Sequence, residues 1–302
     1  MTFGSPATAR RPPVSVRLKL TLGYDGTGFR GSQRQANART VQQELERALE
    51  RLGGKPVPAG LAGRTDRGVH AVGQVAHCED FRPEMSEADI RKALNRLLPD
   101  DVAVSSLARV EPGFHSRYDA AWREYRYRIW IGGKQPLLDR YAWLRRADLD
   151  RERMSQAASM LAGTHDLAAF TGGGEGVPWS ARATAHRGTV RTILLCGVRE
   201  VGPWWGTIPG PGHGLEIRIV ADGFLPQLVR TITGALVAVG QGDRAPEWFN
   251  ELLDVADRRA GPAVAPAHGL ILWRVGYGSD VPDPDPKDTQ DAGGYPARMD
   301  NG

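Results

Sequence analysis

The chain has 302 residues, of which 41% are hydrophobic and 25% are charged. This composition is typical of a globular protein that buries a substantial core, in one large domain or two small ones. The most apolar runs, such as residues 234–240, are too short to span a bilayer, and no signal peptide follows Arg10 and Arg11. Cys78 and Cys196 form no CxxC pair, which argues against a disulfide framework or a structural zinc site and favours a reducing, cytoplasmic compartment.

The formal net charge of +4 is unevenly distributed. Residues 279–302 are acidic and rich in Pro, Asp and Gly, whereas residues 1–13 carry two arginines and no acid. Both ends are predicted to be disordered tails, and the body between them is more basic than the whole chain. A modestly basic body fits an anionic partner such as nucleic acid.

The predicted elements alternate strands with helices. Alternating apolar residues from Val14 to Leu22 predict a half-buried strand. Thr40 and Gln43 form a capping-box pattern, and Gly53-Gly54 ends the helix that follows. Further strands are predicted at 73–79, 102–108, 123–131, 190–199, 214–221 and 270–275, and further helices at 87–98, 150–162, 227–239 and 246–256.

This order of elements predicts an α+β fold with a mainly antiparallel sheet and helices on one of its faces. We interpret the chain as an N-terminal half, residues 14–145, followed by a similar C-terminal half, residues 146–278. Residues 171–189 are predicted to form a mobile, basic loop.

The segment from Leu61 to Ala71 (LAGRTDRGVHA) carries the strongest chemical pattern. Gly63 and Gly68 permit a tight turn or a close approach to a ligand, and between them Asp66 stands beside two arginines. A nearby cation keeps a carboxylate ionised, which suits a nucleophile or a base. Asp and Gly are also common in turns, so an ordinary turn is the alternative interpretation.

Two other patterns predict sites that we consider weaker. Residues 26–31 read GTGFRG, a literal GxGxxG that would indicate a dinucleotide site. The next helix is predicted near Thr40, so a phosphate there would not meet a helix N-terminus. His77-Cys78-Glu79 matches the His-x-Glu of zinc deaminases, but the partner Pro-Cys-x-x-Cys is missing. We therefore expect His70 and His77 to be structural residues, and we expect no metal.

Five further segments accompany 61–71 in a fixed order. They are Tyr24-Asp25-Gly26-Thr27-Gly28-Phe29-Arg30-Gly31, residues 114–127 (FHSRYDAAWREYRY), Gly163-Thr164-His165-Asp166-Leu167 with Phe170, residues 223–234 (GFLPQLVRTITG) and residues 260–270. Together the six segments resemble the motifs of the tRNA pseudouridine synthase A family over residues 16–277. The resemblance implies a pseudouridine synthase-like fold with a central active-site cleft.

The resemblance also implies roles for single residues. Asp66 matches the family's catalytic aspartate, and Arg230 matches the arginine that pairs with it. Tyr125 matches the tyrosine that stacks on the target uracil, and it lies on the apolar face of its predicted strand. Arg64 matches an arginine that helps to extrude the base, and Leu270 matches an apolar residue lining the uracil pocket.

Two residues and one short segment do not match a fixed residue of the family motifs. Arg67 fills a variable position, where it could add a phosphate contact. Ser32 stands where the family usually has Trp, so a packing or RNA contact is expected to be lost there. Pro226-Gln227-Leu228 replaces residues that are often aromatic, His and Met, which puts the local RNA-facing surface in doubt.

The implied activity is a tRNA pseudouridine synthase, an isomerase that acts on uridines 38 to 40 of the anticodon stem-loop without any cofactor. The resemblance further implies a homodimer that binds each tRNA across both subunits. Asp66 could serve as nucleophile or as base, and the sequence leaves this open. An RNA-binding module without catalysis is the alternative function, and a nicotinamide-dependent enzyme is a third class.

Overall fold

The computed structural model describes residues 16–171, 188–202, 212–255, 257 and 261–279. Within these residues the chain forms ten β-strands and five α-helices. The strands are β1 (Arg17–Tyr24), β2 (Gly60–Leu61), β3 (His70–Glu79), β4 (Val102–Val110), β5 (Trp122–Gly132), β6 (Trp143–Arg145), β7 (Gly163–Asp166), β8 (Val190–Val201), β9 (Gly212–Ala221) and β10 (Leu270–Gly276). The helices are α1 (Val41–Gly53), α2 (Glu87–Leu97), α3 (Arg151–Ser159), α4 (Leu228–Gly240) and α5 (Trp248–Val255).

The ten strands form one sheet with the order β4-β1-β3-β10-β5-β9-β8-β7. The short β2 pairs with β3, and β6 pairs with β5. Only the β3–β10 and β5–β6 pairs are parallel among these strands. The mainly antiparallel α+β fold predicted from the sequence is therefore confirmed. The division into two similar halves stays a prediction.

The helices cover one face of the sheet because alternate strand residues are apolar. Leu215, Ile217 and Ile219 of β9 belong to a single core cluster that also contains apolar residues of all five helices. Glu216 and Arg218, between them in β9, point away from this core. The sheet thus has a covered apolar face and an opposite charged face.

Two buried glutamates lie on the charged face. Glu124 Oε1 accepts from Arg126 Nε and Arg218 Nε, each at 2.9 Å, while Oε2 accepts from Arg274 Nη2 at 2.9 Å. Burial alone would raise the pKa of Glu124, but these guanidinium groups hold it below its usual value. Glu216 is surrounded in the same way, by Arg126, Arg128 and Arg199.

Most predicted boundaries agree with the structure. Thr40 caps α1 by accepting from the Gln43 N–H, and Gly54 ends it in the left-handed conformation at φ 72°. The short strands β2, β6 and β7 were not predicted. Most of the predicted loop at 171–189 and, apart from Ser279, both predicted tails lie outside the described residues. Among the described helices none is long and apolar enough to cross a membrane.

Candidate active site

Asp66 lies in the loop between β2 and β3. The Val69 N–H donates to the Asp66 carbonyl at 3.2 Å, which closes a tight turn. Gly68 sits in this turn at φ 79°, a value that glycine adopts without steric cost. The Asp66 side chain is 41% exposed, so the turn presents a carboxylate that a substrate can reach.

Arg230 lies in the first turn of α4 and faces Asp66. Its Nη1 donates to Asp66 Oδ2 at 3.4 Å, and its Nε donates to the Ala265 carbonyl at 2.8 Å. The Arg230 side chain is only 17% exposed. A cation this shielded is stabilised by a partner, and the carboxylate supplies it.

Tyr125 lies on the apolar face of β5, where the alternation predicted it. It is paired with Leu272 of β10 on one side and Ile219 of β9 on the other. Its ring makes an edge contact with Phe224 at a centroid distance of 4.7 Å. Burial raises the pKa of the Tyr125 phenol, and the neighbouring Tyr24 and Asp66 side chains raise it further, against the opposing effect of the Arg123 guanidinium. The structure thus brings a neutral ring close to the Asp66 carboxylate.

Leu270 opens β10 and is 6% exposed. The parallel pairing of Ile271 with His70 places the start of β10 beside the end of the Asp66 loop. On its other side Leu270 pairs with Tyr127 of β5. Leu270 therefore lies between the strand that carries Tyr125 and the loop that carries Asp66.

Arg64 and Arg67 flank Asp66 on the same loop, and both are exposed. Their guanidinium groups are accessible to a phosphate or a base. The structure therefore pairs Asp66 with Arg230 and places Tyr125 and Leu270 on the adjacent strands β5 and β10, while these two arginines are exposed on the Asp66 loop.

Sequence reasoning missed Arg123. It lies two residues before Tyr125 on β5 and donates to the carbonyls of Ala62, Arg117, Ala120 and Asp222, at 3.2, 2.7, 3.2 and 3.2 Å. Burial lowers its pKa. An arginine in register with the apolar residues of β5 was the available signal. Arg123 ties the beginning of the Asp66 loop to the sheet.

The weaker patterns adopt other structures. Residues Gly26–Gly28 form a single 3-10 turn, and α1 begins only at Val41, so the glycines are not followed directly by an α-helix. His70 is buried, and its Nδ1 accepts from the Gly26 N–H at 3.0 Å. His77 Nδ1 is 2.8 Å from Ser116 Oγ. In the described part of the chain, no three His, Cys, Asp or Glu residues are grouped so that they could hold a metal.

Comparison with known proteins assigns this chain to a family. The sequence model of the family described as tRNA pseudouridine synthase matches residues 22–119 and 157–278. The chain therefore belongs to the pseudouridine synthase family.

Individual relatives narrow this class further. The tRNA pseudouridine synthase A of Nitratidesulfovibrio vulgaris is 41% identical, over 87% of this chain and 100% of the relative. Proteins of the same name from Solidesulfovibrio magneticus and Bacillus licheniformis are 44% and 41% identical, each over 87% of this chain and over 92% and 99% of their own lengths.

Proposed function

We propose that this protein is a tRNA pseudouridine synthase whose catalytic residue is Asp66. The observation that carries the proposal is the Asp66–Arg230 ion pair, which holds a carboxylate that a substrate can reach. The Asp66 charge also helps to raise the pKa of the buried Tyr125 phenol. Membership of the family and the names of the relatives support the same activity.

The reaction is an isomerisation, so it requires no oxidant or reductant. The bond between uracil N1 and C1′ breaks, the base rotates, and a bond forms between C5 and C1′. The proton on C5 leaves to solvent, and N1 gains a proton. Asp66 acts either as the nucleophile or as the base that removes the C2′ proton, and both roles require its ionised form.

Each neighbour has a distinct task in this proposal. Arg230 orients the carboxylate through the ion pair between them. Tyr125 stacks on the extruded uracil, and Leu270 lines the pocket for the base. Arg64 assists the extrusion, and Arg67 contacts phosphate.

The substrate that we propose is the anticodon stem-loop of tRNA, at uridines 38 to 40, bound by a cytoplasmic homodimer. The basic body and the exposed arginines near Asp66 support an anionic RNA partner. We expect no cofactor, because the isomerisation requires none.

Release of tritium from tRNA labelled at uridine C5 tests the activity, with EDTA present and no cofactor added. We expect release by the wild-type protein and none by Asp66→Asn. Asp243→Asn is the matched control, since it removes one exposed acid beyond the end of α4. Mapping of the modified positions then tests the assignment to uridines 38 to 40.

Failure to release tritium, or equal release by Asp66→Asn, would contradict the proposal. An RNA-binding module without catalysis requires the basic body and Tyr125 but not Asp66. That alternative therefore predicts equal tRNA binding by wild type and Asp66→Asn with no tritium release by either.

A further inference from the structure

Ser32 is bound to the residue that precedes Asp66. Its side chain is fully buried, and Ser32 Oγ accepts from the Thr65 N–H at 2.8 Å. Its own N–H donates to the Thr65 carbonyl at 3.1 Å. Ser32 therefore satisfies both backbone groups of Thr65, one through its side chain and one through its backbone.

A second hydrogen bond restrains the Thr65 side chain. Tyr24 Oη and Thr65 Oγ1 are 2.8 Å apart, and both residues are buried. Gln74 Nε2 donates to the Gly63 carbonyl at 2.9 Å and lies 3.4 Å from Tyr24 Oη. Buried polar groups that are fully bonded hold a segment in one arrangement. Buried polar side chains thus hydrogen-bond the residues just before Asp66.

The segment that carries Ser32 is itself anchored. The Gln42 N–H in the first turn of α1 donates to the Ser32 carbonyl at 2.9 Å. Gly31 has φ 108°, and a Cβ there would lie 3.0 Å from the Thr65 carbonyl oxygen. A side chain at position 31 would therefore be strained by this φ and crowded against the backbone of the Asp66 loop.

We propose that Ser32 is a positioning residue, which fixes the Asp66 loop through Thr65 so that the carboxylate is held in its catalytic position. This inference rests on the proposed function, since it assumes that Asp66 is the catalyst. The expectation that a packing or RNA contact is lost where Ser replaces Trp at this position stays a prediction beside it. The serine hydroxyl makes a contact of its own, with the backbone of the catalytic loop.

Kinetics of Ser32→Ala test the proposal, because this variant keeps the backbone bond to Thr65 and loses only the hydroxyl. Small misplacements of a reacting group cost up to about a hundredfold in rate. We expect kcat for tritium release to fall by about tenfold or more, while KM for tRNA changes less than about twofold. Ser32→Thr, which restores the hydroxyl, should recover most of the lost rate.

Hydrogen exchange provides a readout that does not depend on activity. The Thr65 amide should exchange faster in Ser32→Ala than in the wild type, because its acceptor has been removed.

Asn95→Ala is the matched control for the kinetics. The Asn95 side chain also bonds both backbone groups of one residue, Val104, at 2.7 and 2.9 Å, but it lies on α2. Asn95→Ala should lower the free energy of unfolding and leave kcat unchanged.

The two proposals fail in different ways. If the wild type releases no tritium, the function is wrong and the role of Ser32 fails with it. If the wild type is active and Asp66→Asn is not, but Ser32→Ala keeps wild-type kcat, only the positioning role is wrong. Should Ser32→Ala not fold, Tyr24→Phe replaces it, since it removes the hydroxyl beside Thr65 Oγ1. Wild-type kcat in Tyr24→Phe would then overturn the inference, and reduced kcat with unchanged KM would support it.

Discussion

Arg230 and Ala265 are joined by two hydrogen bonds that run in opposite directions. Arg230 Nε donates to the Ala265 carbonyl at 2.8 Å, and the Ala265 N–H donates to the Arg230 carbonyl at 3.1 Å. The segment before β10 therefore fixes both the backbone and the guanidinium group of Arg230. The Nη1 atom is left to face Asp66, so the direction of this charge is set by the fold.

Loss of the Arg230 guanidinium should separate turnover from binding. We expect Arg230→Ala to lower kcat by about a hundredfold, because removal of an oriented charge from a catalytic group has effects of this size. The affinity for tRNA, measured by filter binding, should change little. Arg230→Lys keeps the charge without the bond geometry and should be intermediate. If binding and turnover collapse together, Arg230 has a structural role or contacts phosphate.

The Tyr125 ring should matter more than its hydroxyl for substrate binding. Stacking of a base on an aromatic ring contributes about 1–3 kcal/mol, so Tyr125→Ala should raise KM by about tenfold or more. Tyr125→Phe keeps the ring and should retain KM. Since the raised pKa keeps the phenol protonated, the pH profiles of kcat/KM for wild type and Tyr125→Phe should have the same shape between about pH 6 and 9. A limb present only in the wild type would count against this assignment.

The two glycines around Asp66 should respond differently to alanine. Gly68→Ala forces φ 79° on a residue with a Cβ, and we expect the free energy of unfolding to fall by about 1 kcal/mol or more. Gly63 has no such backbone angle, and a Cβ at Gly63 would meet nothing within 4 Å among the described residues. Gly63→Ala should therefore keep the wild-type free energy of unfolding in urea denaturation. Binding of tRNA should weaken, because a Cβ at this position would hinder the close approach of a ligand. Unchanged binding would show that no RNA approaches Gly63 closely.

Acid should destabilise the protein partly through His77. Burial lowers its pKa from 6.5 to about 4, and the adjacent His115 contributes to this lowering. Below about pH 6.5, His77 binds a proton in the unfolded chain but stays neutral in the folded chain. The free energy of unfolding therefore falls as the pH drops towards 4. His77→Gln cannot take up this proton. The loss of stability between pH 7 and pH 5, measured in urea, should be smaller in His77→Gln than in the wild type.

Local patterns predicted the long elements, because the signals for these elements lie within them. Thr40 and Gly54 mark the ends of α1, and the apolar alternation of β5 places Tyr125 on the covered face. The strand β2 has two residues and exists only through its pairing with β3. Its partner residues, Ala76 and His77, lie outside the short local segment from which a strand is predicted.

The candidate site was predictable where a residue matched a motif, and unpredictable where its role depends on a distant contact. Asp66 and Arg230 come from the resemblance. Ser32 bonds to Thr65, a residue 33 positions away, and Arg123 reaches four carbonyls in three segments. Such bonds are properties of the tertiary structure, and a serine or an arginine in the sequence carries no sign of them.

The place of β10 between β3 and β5 has a consequence for biosynthesis. In chain order β10 is the last described strand, yet it supplies Leu270 and separates the strand after Asp66 from the strand that carries Tyr125. Until β10 has been synthesised, the strand that joins β3 to β5 is missing, and Asp66 and Tyr125 are not held in one sheet. Under the proposed function, we therefore expect reactivity towards RNA to arise only after β10 has left the exit tunnel.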